Sequence, residues 1–171
     1  KESSTGIITA MLKNIKSLII DMDGVLWREN APIGDLSAIF ARIRERRLKF
    51  VFATNNGSLT PEQYVERLSE FGVNVEPWQV ITSALGVAEM LAKKFPTRGK
   101  IFVIGGDGVK IALREQEFEI LPVETAQSAQ AVVVGVDREI NVAKMSDAAL
   151  LVRRGLPFYA TYPDTTYHTP R

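Results

Sequence analysis

The chain has 171 residues, 46% hydrophobic and 24% charged, the composition of a soluble globular protein with one ordinary domain or two small ones. A formal net charge of +1 argues against nucleic acid or an acidic membrane surface as partner. The absence of cysteine excludes disulfides and thiolate chemistry and makes the cytoplasm the default compartment. No apolar run approaches membrane-spanning length and no signal-like segment opens the chain, so no membrane partner is expected. Lys1-Glu2-Ser3-Ser4-Thr5-Gly6 reads as a polar leader, with Met11 a candidate natural start.

The first element is a short apolar segment, Ser17 to Ile20, that reads as a buried parallel strand. It runs directly into Asp21-Met22-Asp23-Gly24-Val25-Leu26-Trp27. In open parallel sheets ligands bind just beyond the carboxyl ends of strands, which is where Asp21 and Asp23 stand. Two acids in one loop repel each other unless a cation or a shared proton relieves them. Hard oxygen ligands of this kind suit Mg²⁺ better than Zn²⁺, so Asp21 and Asp23 are candidate metal ligands. Gly24 lets the backbone turn where a side chain would obstruct a ligand. Asp and Gly after a strand can also make only a turn, but the whole D-x-D-G-V-L pattern is more specific than that.

Next comes a helix with Asp35 as N-cap and an apolar stripe of Leu36, Ile39, Phe40 and Ile43. Its charged side, Arg42, Arg44, Glu45, Arg46 and Arg47, reads as a solvated face, not a nucleic-acid surface, because acids are mixed in. A second strand, Phe50 to Ala53, stops at Thr54-Asn55-Asn56-Gly57-Ser58. Thr60-Pro61-Glu62-Gln63 starts a helix, with Thr60 as cap, Pro61 at the first position and Gln63 closing a capping box. Gly72 fits just past its end. From about Val80 the pattern restarts with a helix, Ser83 to Phe95, a strand, Lys100 to Gly105, and a helix, Asp107 to Glu117. A short strand at Phe118 to Leu121, a strand at Ala131 to Val136, a helix at Val142 to Arg154 and a strand at Phe158 to Thr161 complete an α/β alternation. The expected division is residues 1–80 and residues 81–171, the first half supplying two parallel strands and two helices.

Thr54 follows Asp21 by about one strand–helix–strand unit. A right-handed crossover puts both strand ends on one edge of the sheet, bringing a hydroxyl, an amide and loop N–H groups next to the acid pair. Donors that hold anionic oxygens beside a carboxylate make a phosphate site where the Asp21 and Thr54 loops meet, with Gly24 leaving room for the ligand.

Asp21-Met22-Asp23-Gly24-Val25-Leu26-Trp27 and Phe52-Ala53-Thr54-Asn55-Asn56-Gly57-Ser58 closely resemble motifs of the haloacid dehalogenase superfamily, in particular its p-nitrophenyl phosphatase/NagD-like branch. Val134-Gly135-Val136-Asp137 and Ala160-Thr161-Tyr162-Pro163-Asp164 are similar to later stretches of the same branch. The resemblance implies that Asp21 is the nucleophile, forming an aspartyl-phosphate. It implies that Asp23 protonates the leaving oxygen and later activates water, its backbone carbonyl ligating Mg²⁺. Thr54 and the Asn55 backbone would hold the phosphoryl group of a small phosphorylated metabolite. It further implies a partial Rossmann-like core over residues 1–80 and an inserted α/β cap over residues 81–171 that closes on the site, selects substrate and can pair with a second copy. Two departures stand out. Tyr162 replaces an asparagine of the family pattern, and the family's phosphate-binding lysine and second acidic metal motif are not found before Arg171. The chain is therefore expected to be part of a longer protein and to be catalytically silent alone, acting only as a structural or interaction fragment. A phosphoacceptor signalling domain, which also combines strand-end acids with a threonine, is the reading from a different class.

Three further features carry less. Gly105-Gly106-Asp107-Gly108 sits between strand and helix as a nucleotide loop would, but Ile111 breaks the glycine pattern, leaving a tight turn. His168 lies in a polar tail and reads as a surface residue. Asp137 and Asp164 are either substrate contacts or caps of local turns.

Overall fold

The computed structural model describes residues 14–162, so Met11, Asp164 and His168 lie outside the described residues. The chain opens with β1 (Ser17–Ile20), a two-residue antiparallel hairpin of β2 (Trp27–Arg28) and β3 (Ala31–Pro32), and α1 (Leu36–Glu45). Then follow β4 (Lys49–Thr54), α2 (Pro61–Glu70) and β5 (Val80–Thr82). Strands β1, β4 and β5 form one parallel sheet in the order β1-β4-β5, with Ile20 opposite Phe52 and Thr54 opposite Thr82. The expected two strands are thus three. Three residues are too few to show the two-residue alternation, and Val80–Thr82 is recruited by pairing with β4, not by its own pattern.

The helix boundaries follow from local chemistry. Asp35 accepts the Ala38 N–H at 2.9 Å at the start of α1. Thr60 and Gln63 form the reciprocal capping box of α2 at 3.3 and 2.9 Å. Gly72 ends that helix with φ 75°, the left-handed conformation that glycine adopts without strain. Along the strands Leu18, Ile20, Phe50, Phe52 and Val80 turn to one side, where they meet Phe40, Tyr64, Leu68, Met22 and Trp27 in a single apolar cluster. On the opposite face Ile19 is 77% exposed and Ile81 49%.

The second sheet is built from β6 (Gly99–Ile104), β7 (Phe118–Leu121), β8 (Ala131–Val134) and β9 (Phe158–Ala160), all parallel, in the order β7-β6-β8-β9. Helices α3 (Ser83–Lys94) and α4 (Asp107–Glu115) cover one face through Ala84, Val87, Leu91, Val109 and Leu113. Helix α5 (Val142–Arg153) covers the other through Ala148 and Leu151 against Phe102, Ile104 and Val132. Helix α4 stops two residues earlier than expected, and Glu117 beyond it takes φ 65°. The architecture is α/β with parallel sheets, as the alternation of elements implies. Among the described residues no helix is long and apolar enough to cross a membrane.

Candidate active site

The register of β1 on β4 delivers the two loops to the same edge of the first sheet. Ile20 is opposite Phe52, so Asp21 and Asp23 leave β1 just beyond the pairing, while Thr54 closes β4. Asp21 is exposed, and one of its oxygens accepts the Met22 N–H at 2.8 Å. Gly24 stands at φ 81°, and its N–H donates to the Trp27 carbonyl at 2.8 Å, closing the turn that follows the acids.

Asp23 is held on both carboxylate oxygens. The Trp27 indole Nε1 donates to Oδ1 at 2.7 Å, and the Asn56 Nδ2 donates to Oδ2 at 3.1 Å. This second bond joins the acid loop to the Thr54 loop. Asn56 organises its own loop as well: its N–H donates to Thr54 Oγ1 at 3.0 Å, and its Oδ1 accepts Ser58 N–H at 3.2 Å and Ser58 O–H at 2.7 Å. Its carbonyl accepts the Tyr64 hydroxyl at 3.0 Å. Thr54 is buried and Asn55 exposed, and the Asn55 carbonyl accepts the Ser83 hydroxyl at 2.7 Å. Sequence reasoning placed Asn56 in the motif but gave it no role. The signal available was an amide side chain, able to donate and accept at once, one helical crossover away from a carboxylate.

The second sheet also reaches this loop. The Gly108 N–H at the start of α4 donates to the Ser58 carbonyl at 3.2 Å. A Cβ on Gly108 would lie 2.5 Å from the carbonyl oxygens of both Gly57 and Leu59. Gly106 N–H donates to the Val136 carbonyl at 2.9 Å, tying the ends of β6 and β8 together beside the same contact. The Gly105–Gly108 stretch is a tight strand-to-helix turn, as expected, and in addition one of the points where the two sheets' units touch.

Of the two readings of Asp137, the structure supports the local one. Its side chain is 5% exposed, accepts the Glu139 N–H at 2.8 Å and pairs with Lys144 at 2.9 Å. Burial works to raise its pKa, but the Lys144 hydrogen bond, the Glu139 N–H and the charges of Lys144 and Lys110 outweigh it and hold the carboxyl below its ordinary 3.8. A depressed folded-state pKa adds stability that is present above the unfolded value and disappears as pH falls through the folded one. Asp137→Asn is therefore expected to cost about 1–3 kcal/mol at neutral pH. The gap from the unsubstituted chain should close below about pH 4, read by urea unfolding at a series of pH values. An equal gap at pH 3 and pH 7 contradicts it.

Among the described residues no three acidic, histidine or cysteine side chains gather in a metal cage. The acid pair nevertheless fits Mg²⁺, which is typically bound by one or two carboxylates and keeps several waters for itself. Both Asp23 carboxylate oxygens already carry N–H donors, so Asp21 is the better placed of the two side chains.

Residues 18–119 match the haloacid dehalogenase-like hydrolase family. The acid sugar phosphatase of Staphylococcus epidermidis is 30% identical over 155 residues, covering 91% of this chain and 58% of that protein. A hypothetical protein from Pyrococcus horikoshii OT3 superimposes with a TM-score of 0.81 at 35% identity, over 90% of this chain and 60% of its own. The p-nitrophenyl phosphatase from Archaeoglobus fulgidus superimposes with a TM-score of 0.79 at 30% identity, over 90% and 57%. The chain thus spans less than two thirds of the length of each of these relatives. With its acid pair, its Thr54 loop and a family match over more than half of its residues, the chain belongs to the haloacid dehalogenase-like hydrolases.

Proposed function

We propose that this chain carries the nucleophile, the acid/base and part of the phosphate grip of a Mg²⁺-dependent phosphatase of small phosphomonoesters. The observation that carries the reading is the Asn56–Asp23 hydrogen bond, which fixes the acid loop against the Thr54 loop. The names of the relatives, an acid sugar phosphatase and a p-nitrophenyl phosphatase, support the same substrate class.

In this mechanism an Asp21 carboxylate oxygen attacks phosphorus and the ester P–O bond breaks, leaving an aspartyl-phosphate. Asp23 gives its proton to the departing alkoxide. It then takes a proton from the water that attacks phosphorus, and the Asp21–phosphate bond breaks to release inorganic phosphate. Covalent catalysis divides one difficult displacement into two easier ones. The Thr54 hydroxyl accepts the Asn56 N–H, which leaves its own proton to donate to a phosphoryl oxygen. The Asn55 N–H is the second donor, and Gly24 leaves space for the phosphoryl group. Asp21 and the Asp23 backbone carbonyl are the residues that would hold Mg²⁺, which supplies neutralisation of charge so that one anion can approach another. In the same reading residues 1–80 are the core and residues 81–171 the cap, seated on the phosphate loop through Gly108.

The test is release of phosphate from a panel of sugar phosphates, glycerol phosphate and p-nitrophenyl phosphate, by this chain and by a C-terminally extended version. Hydrolysis by the extended protein that EDTA abolishes and Mg²⁺ restores is expected. Stable phosphorylation of Asp21 without release would favour a phosphoacceptor, and no hydrolysis across the panel would defeat the phosphatase reading.

A further inference from the structure

The carboxyl group of Asp23 sits in a closed circuit of four residues. The Trp27 indole holds Oδ1 and the Asn56 amide holds Oδ2, at 2.7 and 3.1 Å. Trp27 is 1% exposed and stacks on Tyr64 at 6.4 Å between ring centroids, with 14° between their planes. The Tyr64 hydroxyl returns to the Asn56 carbonyl at 3.0 Å, which completes the ring of contacts. From outside, the Arg67 guanidinium lies over the Trp27 ring at 4.3 Å and donates to the Glu29 carbonyl. Phe71 packs on the same ring at 5.9 Å.

Two donors on different oxygens, together with Cβ, define a plane and stop rotation about the Cβ–Cγ bond. Each carboxyl oxygen has two lone-pair directions, and each donor uses one of them. The remaining direction stays available for the proton that is transferred. A proton-transfer group has to be held to within about half an ångström and 10–20° of its working geometry. A buried indole N–H needs an acceptor in any case, but here the acceptor is a solvent-exposed carboxylate whose second oxygen is held from a different loop.

We propose that Trp27 is a positioning residue for general acid catalysis by Asp23, with Asn56 and Tyr64 completing the clamp. The proposal rests on the phosphatase reading above. In the step it governs, Asp23 O–H protonates the ester oxygen as the P–O bond breaks and Asp21 bonds to phosphorus. The contribution of Trp27 therefore depends on how much the leaving group needs that proton. Nitrophenolate leaves readily without it, whereas a sugar or glycerol alkoxide does not.

Trp27→Phe keeps the ring against Tyr64 and Phe71 and removes only the N–H. In the extended protein it is expected to lower kcat/KM for glycerol phosphate by about 10–100-fold, the scale of a general acid that is misplaced but not lost. The loss for p-nitrophenyl phosphate is expected to be several-fold smaller. In an Asp23→Ala background the same substitution should cost almost nothing further, because the group it positions is gone. Equal losses on both esters, or an undiminished loss in that background, would overturn the proposal. If the unsubstituted extended protein hydrolyses neither ester, the phosphatase reading falls and this proposal with it.

A second measurement reads the clamp without turnover. The ¹⁵N-labelled chain has two indole N–H signals, from Trp27 and from Trp78, which is 73% exposed. Asp23→Ala is expected to move the Trp27 signal and speed its exchange with solvent while leaving that of Trp78 in place. A Trp27 signal that moves no more than that of Trp78 counts against the clamp.

Discussion

Replacing Asp21 with asparagine is expected to lower phosphomonoester hydrolysis by the extended protein by at least about 10⁴-fold, with little change in stability. The amide is nearly the same shape, and its oxygen can still accept the Met22 N–H now held at 2.8 Å, so the turn after β1 keeps its bond. What disappears is the negative charge and the nucleophilic lone pair, and no second carboxylate replaces them. Asp23 is the nearest acid in sequence, but both of its oxygens are engaged by Trp27 and Asn56. Because Asp21 is exposed and packs no core, a thermal melt should move by no more than about 1 °C. The decisive measurement pairs steady-state rates with acid-quench trapping of labelled phosphate on the protein. Full activity in the asparagine variant, or unchanged trapping, would remove Asp21 from the mechanism.

The second large effect is structural and belongs to Gly108. Adding one methyl group there places a carbon 2.5 Å from two carbonyl oxygens, those of Gly57 and Leu59, and 2.8 Å from the Leu59 carbonyl carbon. All three are backbone atoms, so no side chain can swing aside. Either α4 shifts outward and gives up the Gly108 to Ser58 hydrogen bond, or the loop beyond Thr54 deforms. Gly108→Ala is expected to cost about 2–3 kcal/mol, a fall in Tm of roughly 5–10 °C for a chain of this size. Gly86, the fourth residue of α3, is the internal control, being exposed with nothing within 4 Å of the place an added methyl group would occupy. There alanine should gain about 0.5–1 kcal/mol from helix propensity. The same substitution thus has opposite signs at two helical glycines. Similar melting temperatures for both variants would mean that the unit carrying α4 does not rest on the loop.

Local chemistry was legible in the sequence wherever a few neighbouring residues decide the outcome. Asp35 and Thr60 could be placed as caps because capping depends on a side chain and an amide three residues away. The acid pair and Thr54 could be placed at one sheet edge because apolar segments end abruptly before each. The rest depends on partners distant in the chain. Val80–Thr82 is a strand only because β4 offers it hydrogen bonds. Gly108 looked like part of an ordinary turn because the carbonyls that demand a glycine lie about fifty residues earlier. Asn56 reaches Asp23 across a crossover, while Trp27 reaches it around the short turn of Gly24 to Leu26, which leaves no periodicity to read.

The parallel register of β1 on β4 has a consequence for how the site comes into being. Ser17 pairs with Lys49 and Ile20 with Phe52, so the two loops become neighbours only after α1 has been laid across the sheet. No local hairpin can bring Asp23 to Asn56 ahead of the global fold. Parallel pairing of distant segments collects its free energy only after the closure entropy of the intervening loop has been overcome, which makes it intrinsically slow. The junction between Asp23 and Asn56 is thus a property of the completed tertiary structure, absent until β1 and β4 have paired.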